Sequence, residues 1–250
     1  MKTFHSAPQP NNAFNADATT GHAFGILMAC SGYSPRFALR ATAPVNYGVR
    51  RRMPQQLITQ PFELHDWVTQ RLHGLDISRD RRILLAVSCY DVATEHHIGI
   101  AALLRSRING SAFALVRPLF ETFVIGVWLR HCATDEQIDQ YVGDRLDLKF
   151  WQILRAVEKV DGFGDGVLSG LKKNAWRAMN SYTHGGIQQA GRRTSGAYIE
   201  PDFPAEEIIE LIKLAGSFRL LAFQQVAVEA KRMDLAELAL EKLSDVGKPV

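Results

Sequence analysis

The stretch from Ser111 to Cys132 most limits what this chain can fold into. Its apolar residues, from Phe113, Leu115 and Val116 through Phe120 and Phe123 to Val127 and Trp128, point in nearly every direction around a helix. A helix with so little polar face is the buried centre of a bundle. Its neighbours must then be helices that each turn one apolar face inward.

Helix signals follow one another on both sides. A first helix is predicted with Pro61 in its opening turn and Gly74 as its stop, and a second from about Ser78 to Arg107, closed by Asn109-Gly110. Thr134 and Gln137 have capping-box spacing, with Asp135-Glu136 at the positive end of the dipole. That opens a fourth helix running to about Val160, with Asp161-Gly162 after it. A fifth is expected from Gly166 to His184, stopped by Gly185-Gly186 and followed by a polar loop from Gly185 to Pro201. A sixth runs from Pro204 to about Met233, and Asp234 with Glu237 caps a short last helix. Strand signals are few. The expected fold is all-α, a helical bundle of about six helices over residues 56–247, and some 190 residues bury about 70% of their unfolded surface without a metal or disulfide.

Residues 1–55 read differently. Pro8, Pro10, Pro35, Pro44 and Pro54 interrupt an aperiodic stretch that is expected to be a disordered arm, and Met53 is an alternative start. The arm also misleads about charge. Of the net +3, residues 1–52 hold six basic side chains, including Arg50-Arg51-Arg52, against Asp17 alone. The rest holds 23 basic and 25 acidic residues, no platform for duplex DNA. Three widely spaced cysteines, Cys30, Cys89 and Cys132, argue against a disulfide framework and for a reducing compartment. The longest strong apolar run, Phe123 to Leu129, is short for a membrane span, and no signal-peptide segment follows Met1. The expectation is a cytoplasmic protein with no membrane partner.

Several chemistries lack their motifs. There is no P-loop, no His-Glu-x-x-His, no Glu-x-x-His and no nucleophile elbow. Asp91, Glu95, His96 and His97 are the nearest approach to a ligand cluster, and read more simply as an exposed polar face. No metal or cofactor is expected.

Two constellations stand out. Arg117 and Glu121 lie one turn apart in the apolar third helix, where a lone charge is costly, so they are expected to pair inside the bundle or to line a pocket. Pro118 bends the same stretch. On the fifth helix, Arg177 and His184 are seven residues apart and share a stripe with Asn180 and Ser181, while Ala175, Ala178, Met179 and Tyr182 make the opposite, apolar face.

An Arg followed by four to six residues and His near the end of a bundle helix resembles the signature of HEPN-like proteins, many of them metal-independent endoribonucleases of toxin–antitoxin and phage-defence systems. Here the residue after Arg177 is Ala178, where those enzymes usually carry a polar one. Asn180-Ser-Tyr-Thr-His-Gly-Gly186, with Arg117-Pro-Leu-Phe-Glu121, also resembles an uncharacterised bacterial helical family of unknown function. The resemblance implies a metal-independent endoribonuclease or RNA-binding protein. His184 would be general base on the RNA 2′-OH, Arg177 would stabilise developing charge, and Asn180 and Ser181 would orient substrate, with Arg117 and Glu121 as further substrate-binding candidates. Both side chains lean toward the helix N-terminus and stand about 10 Å apart along it, so a composite site in a homodimer is expected. The alternatives are a non-enzymatic interaction or regulatory module, with a cognate antitoxin or regulatory protein as partner, and a small-ligand-binding bundle with Arg117 and Glu121 in its pocket.

Overall fold

In the computed structural model, residues 55–195, 198–199 and 201–246 are described. The arm expected over residues 1–55, with its arginine cluster, lies outside them apart from Gln55. The helices are α1 (Gln55–Leu72), α2 (Arg81–Arg105), α3 (Asn109–Ala114), α4 (Val116–His131), α5 (Asp135–Val142), α6 (Phe150–Val157), α7 (Val167–Thr183), α8 (Ile187–Ala190), α9 (Ala205–Glu229) and α10 (Met233–Val246). A 3-10 turn, Gly191–Arg193, leads from α8 into a two-residue antiparallel ladder, β1 (Thr194–Ser195) with β2 (Tyr198–Ile199). The chain is all-α, as expected.

The helices outnumber the six expected because two predicted ones are broken, a short one, α8, forms in the predicted loop, and the short last helix, α10, adds to the count. The third parts at Leu115 into α3 and α4. Pro118 has no N–H to give to the carbonyl four residues back, Ala114, so the ladder loses a rung at the break. The fourth parts after Gly143, where Asp144 takes a left-handed φ of 52° and Arg145 N–H donates to the Gln140 carbonyl at 2.8 Å. The first helix starts earlier than predicted, at Gln55, and carries Pro61 in its interior, buried against the bundle. The Thr134–Gln137 capping box forms as read. The segment expected to be a bare loop, Gly185 to Pro201, holds α8, the 3-10 turn and the small ladder.

The core is built on α4 and α9. Leu119, Phe120, Phe123, Val124, Val127 and Leu129 of α4 are inaccessible to solvent, so this helix is the buried centre its composition implied. It packs chiefly on α2, and α9 packs on both α2 and α10. Phe218 of α9 meets Phe120 and Phe123 at ring-centroid distances of 5.7 and 5.3 Å. Gly126 makes the α2–α4 contact close: a Cβ there would fall 2.6 Å from Cε1 of buried Tyr90. Arg82 closes the far end of α4, donating to the Leu129 carbonyl at 3.0 Å and pairing with Asp135 at 2.7 Å.

The absence of a membrane-length apolar segment, expected from the short apolar runs, needs correction. Asn109–His131 and Ala205–Glu229 are long and apolar enough to cross a bilayer by length and composition. Their apolar windows are 61% and 78% buried within the bundle, where core helices of a soluble protein would pass the same test.

Candidate functional site

The site forms where the start of α4 meets the end of α7, and Pro118 prepares it. The Ala114 carbonyl that Pro118 leaves without its helical donor lies 3.3 Å from the Thr183 hydroxyl, which shares its one hydrogen between this carbonyl and that of Met179 at 2.8 Å. The Ala114 contact docks the last residue of α7 on the α3–α4 break and delivers the next residue, His184, to the first turn of α4.

There Arg117 is the hub. Its Nε and Nη2 both donate to Glu121 Oε1 at 3.1 Å, and its Nη1 donates to His184 Nε2 at 2.6 Å. A guanidinium has no acceptor atom. In this contact His184 is therefore the neutral imidazole with its hydrogen on Nδ1, and the Nε2 lone pair is held by Arg117. The guanidinium carbon also stands 4.9 Å from the Trp176 ring centre. Trp176 stacks on Phe150 at 5.2 Å and 5° between planes, which fixes the aromatic platform from α6. Lys172 approaches the same indole at 5.4 Å.

The Arg117 and Glu121 side chains are 22% and 25% exposed. They are paired, as expected, but at the edge of the bundle and not sealed inside it. His184 and Arg177 are exposed. Ala175, Ala178, Met179 and Tyr182, on the opposite face of α7, are all buried, as their stripe implied. The residue bonded to His184 is thus not the one that spacing had linked to it. The group bonded to His184 is Arg117, from 67 positions upstream, while Arg177 lies on the outer stripe of α7 with exposed Lys173.

Asn180 and Ser181 lie in the last turn of α7 and face the turn that follows it. Gly185, at φ +67°, ends the helix. Gly186 then passes so close that a Cβ would lie 2.5 Å from Ser181 Oγ. Ser181 Oγ accepts the Gln188 N–H at 2.9 Å, so this hydroxyl holds the start of α8. Asn180 Oδ1 is buried without a hydrogen-bond partner among the described residues. Tyr182 stacks on Phe113 at 5.0 Å, and burial pushes its phenol up to about 12. Beyond the turn, Arg192 pairs with Glu207 at 2.7 Å and ties the segment to α9.

Among the described residues no group of three or more His, Cys, Asp or Glu gathers with metal-site geometry. In the cluster noted on α2, His97 turns into the core while Asp91 and Glu95 are exposed. The spacing around Arg177 could not reveal the role of Arg117 or Trp176, because the contacts that join them to His184 are tertiary. Trp176 did carry a signal, one residue before Arg177 on the face toward α4, but an aromatic at a helix edge reads first as packing.

A family of unknown function (DUF6988) matches residues 90–244, more than half of the chain, and the chain belongs to it. The match takes in α4, α7 and all the residues of the site. No curated protein and no solved structure matches the chain.

Proposed function

Starting from membership in a family with no assigned chemistry, we propose that the protein is a HEPN-like RNA-binding protein and metal-independent endoribonuclease whose working pair is Arg117 and His184. The observation that carries this reading is the 2.6 Å contact between the Arg117 guanidinium and the His184 imidazole, with Lys172 against the same Trp176 and Lys173 and Arg177 exposed along α7. The cations suit a phosphodiester backbone. Glu121 holds the guanidinium from behind, and Trp176 holds its face.

The chemistry follows from who holds which lone pair. A phosphate oxygen is a stronger acceptor for a guanidinium than a neutral imidazole is. Substrate entering along α7 would draw Arg117 Nη1 from His184 Nε2 and free that lone pair. His184 Nε2 then takes the proton of the 2′-OH, and the 2′-oxygen bonds to phosphorus. The bond from phosphorus to the 5′-oxygen breaks, the 5′-oxygen takes a proton from solvent, and Arg117 neutralises charge on the non-bridging oxygens. The products are a 2′,3′-cyclic phosphate and a 5′-hydroxyl. Arg177 binds the neighbouring phosphate.

The test is cleavage of RNA by the purified full chain in EDTA, with end-group analysis. Wild type should cleave and leave cyclic phosphate. His184→Ala should abolish cleavage, Arg117→Ala should reduce it by about 10²–10³-fold, as loss of one preorganised donor does, and Arg177→Ala should mainly weaken binding. Mixing His184→Ala with Arg117→Ala should restore nothing, because both residues of the pair come from one chain. Restoration would return the reading to a composite site in a homodimer.

A second reading rests on a different observation. Ile187, Tyr198 and Ile199, just beyond His184, are 66%, 74% and 88% exposed. Apolar side chains so exposed on one short segment suit a protein partner such as a cognate antitoxin or regulator. Absence of cleavage of any RNA by wild type would favour this reading.

A further inference from the structure

Between α1, α9 and α10 lies a cavity of about 350 Å³. Its walls are largely hydrocarbon, with Leu57, Leu64 and Trp67 on one side and Ile209, Ile212 and Val246 on the other. That is the small end of the roughly 300–1,000 Å³ of small-molecule sites, which are likewise mostly apolar with a few placed polar groups.

One polar group placed in this wall is His97 of α2. It is 1% exposed, and both ring nitrogens are buried with no hydrogen-bond partner among the described residues. A neutral imidazole offers one N–H and one lone pair, and leaving such groups unmade in a core is costly. Burial first, then the positive field of Arg219 and the neighbouring His65, holds this ring neutral, with its pKa down to about 3.

Arg219 stands behind His97 and is 2% exposed. It donates to Thr94 Oγ1 at 2.7 Å and Thr69 Oγ1 at 3.3 Å, while its Nε has no partner. It has no ion pair among the described residues. Asp91 is the carboxylate whose field reaches it. A buried cation supported only by hydroxyls favours an anion nearby. The rim does not supply a preference of its own, since Lys213 and Lys242 are met there by Glu63 and Asp245. The interior charge decides the sign.

We propose that this cavity binds a small amphipathic carboxylate, with its carboxylate on the His97 N–H in the field of Arg219 and its hydrocarbon body against Leu64, Trp67 and Ile212. The site is separate from the Arg117–His184 pair, and neither Arg117 nor Glu121 lines it. It gives the small-ligand reading of the chain a location that the sequence had put elsewhere.

The test uses the full chain and 4-phenylbutyrate, read by calorimetry and by tryptophan fluorescence, because Trp67 lines the wall. Saturable one-to-one binding is expected, with the uncharged analogue 4-phenylbutanol at least tenfold weaker. Ile212→Trp, which fills the cavity from its partly exposed wall, should abolish binding, and His97→Phe should weaken it at least tenfold. The acid–alcohol comparison on wild type needs no variant to fold. No saturable binding up to millimolar acid, equal affinity for acid and alcohol, or undiminished binding in folded Ile212→Trp each overturns the proposal.

Discussion

Replacing Glu121 by Leu and Arg117 by Met, singly and together, measures how far the α4–α7 contact is an electrostatic unit. Exposed ion pairs contribute about 0–1 kcal/mol, and breaking a buried one by removing a single partner costs about 3–5 kcal/mol. At 22% and 25% exposure this pair lies between. Glu121→Leu is expected to cost about 1–2 kcal/mol, mostly the guanidinium losing the acceptor of its Nε and Nη2 donors. Arg117→Met loses the same pair, the bond to His184, worth about 1 kcal/mol, and the cation–π contact with Trp176, worth about 0.5–1 kcal/mol. It is expected to cost about 2.5–4 kcal/mol. The double variant should fall short of the sum of the singles by about 1 kcal/mol. The measurement is urea unfolding followed by far-ultraviolet circular dichroism. Melting offers a second readout, at about 2–4 °C per kcal/mol for a domain of this size. Single effects that add to within about 0.5 kcal/mol would mean that the two side chains act independently, each solvated on its own. The reasoning about a shared hub would then be refuted.

Three further outcomes follow from other contacts. Gly126→Ala should lower the urea midpoint by an amount equivalent to about 1–2 kcal/mol, since a Cβ 2.6 Å from a Tyr90 ring carbon overpacks the core by more than the roughly 1 kcal/mol gained in helix propensity; an unchanged midpoint would show that Tyr90 yields freely. Gly186→Ala should loosen the turn after α7, because a Cβ 2.5 Å from Ser181 Oγ displaces the acceptor of the Gln188 N–H; faster amide hydrogen exchange at Gln188 reads this, and unchanged exchange would contradict the close approach. Stability should also fall with acid through His97. Its pKa is depressed in the fold, so below the ordinary histidine value of about 6.5 the unfolded chain takes up a proton that the native chain refuses. That stability is fully present above pH 6.5 and declines toward pH 3, by about 2 kcal/mol between pH 6.5 and 5. His97→Phe should flatten this part of the pH profile, and an equally steep profile in that variant would assign the acid sensitivity elsewhere.

Much of the fold was legible because it is written locally. The Thr134–Gln137 box, the Gly185 stop and the apolar face of α7 each depend on residues within a few turns of one another, and each appears where it was read. The break at Leu115 was half visible. Pro118 marked a bend, yet the apolar run on both sides reads as continuous, and only the packed structure places the break between two helices at Leu115. The site was legible in pieces. Arg117, Glu121 and His184 could each be singled out, but the bond from Arg117 to His184 is a long-range contact and no periodicity encodes it. Arg177 was favoured because helical spacing is the one geometry a sequence displays directly. His97 and Arg219 were less visible still. Each sits on a helix whose pattern gives no sign that the ring or the guanidinium turns inward, and their shared neighbourhood exists only once α1, α2 and α9 pack.

The contact between Thr183 and the Ala114 carbonyl makes the backbone of one motif an adaptor for the other. An imino acid at 118 leaves one acceptor unspent in the preceding turn, and a hydroxyl one residue before the imidazole takes it. Restoring an N–H at that position would let α3 and α4 fuse into one rod, with the carbonyl reclaimed by its own helix. Thr183, whose hydroxyl also reaches the Met179 carbonyl, would then compete with an N–H for its contact across the break, and the end of α7 would be held less closely although neither the imidazole nor the guanidinium had been touched. The approach of two groups 67 positions apart thus leans in part on an atom that proline does not have.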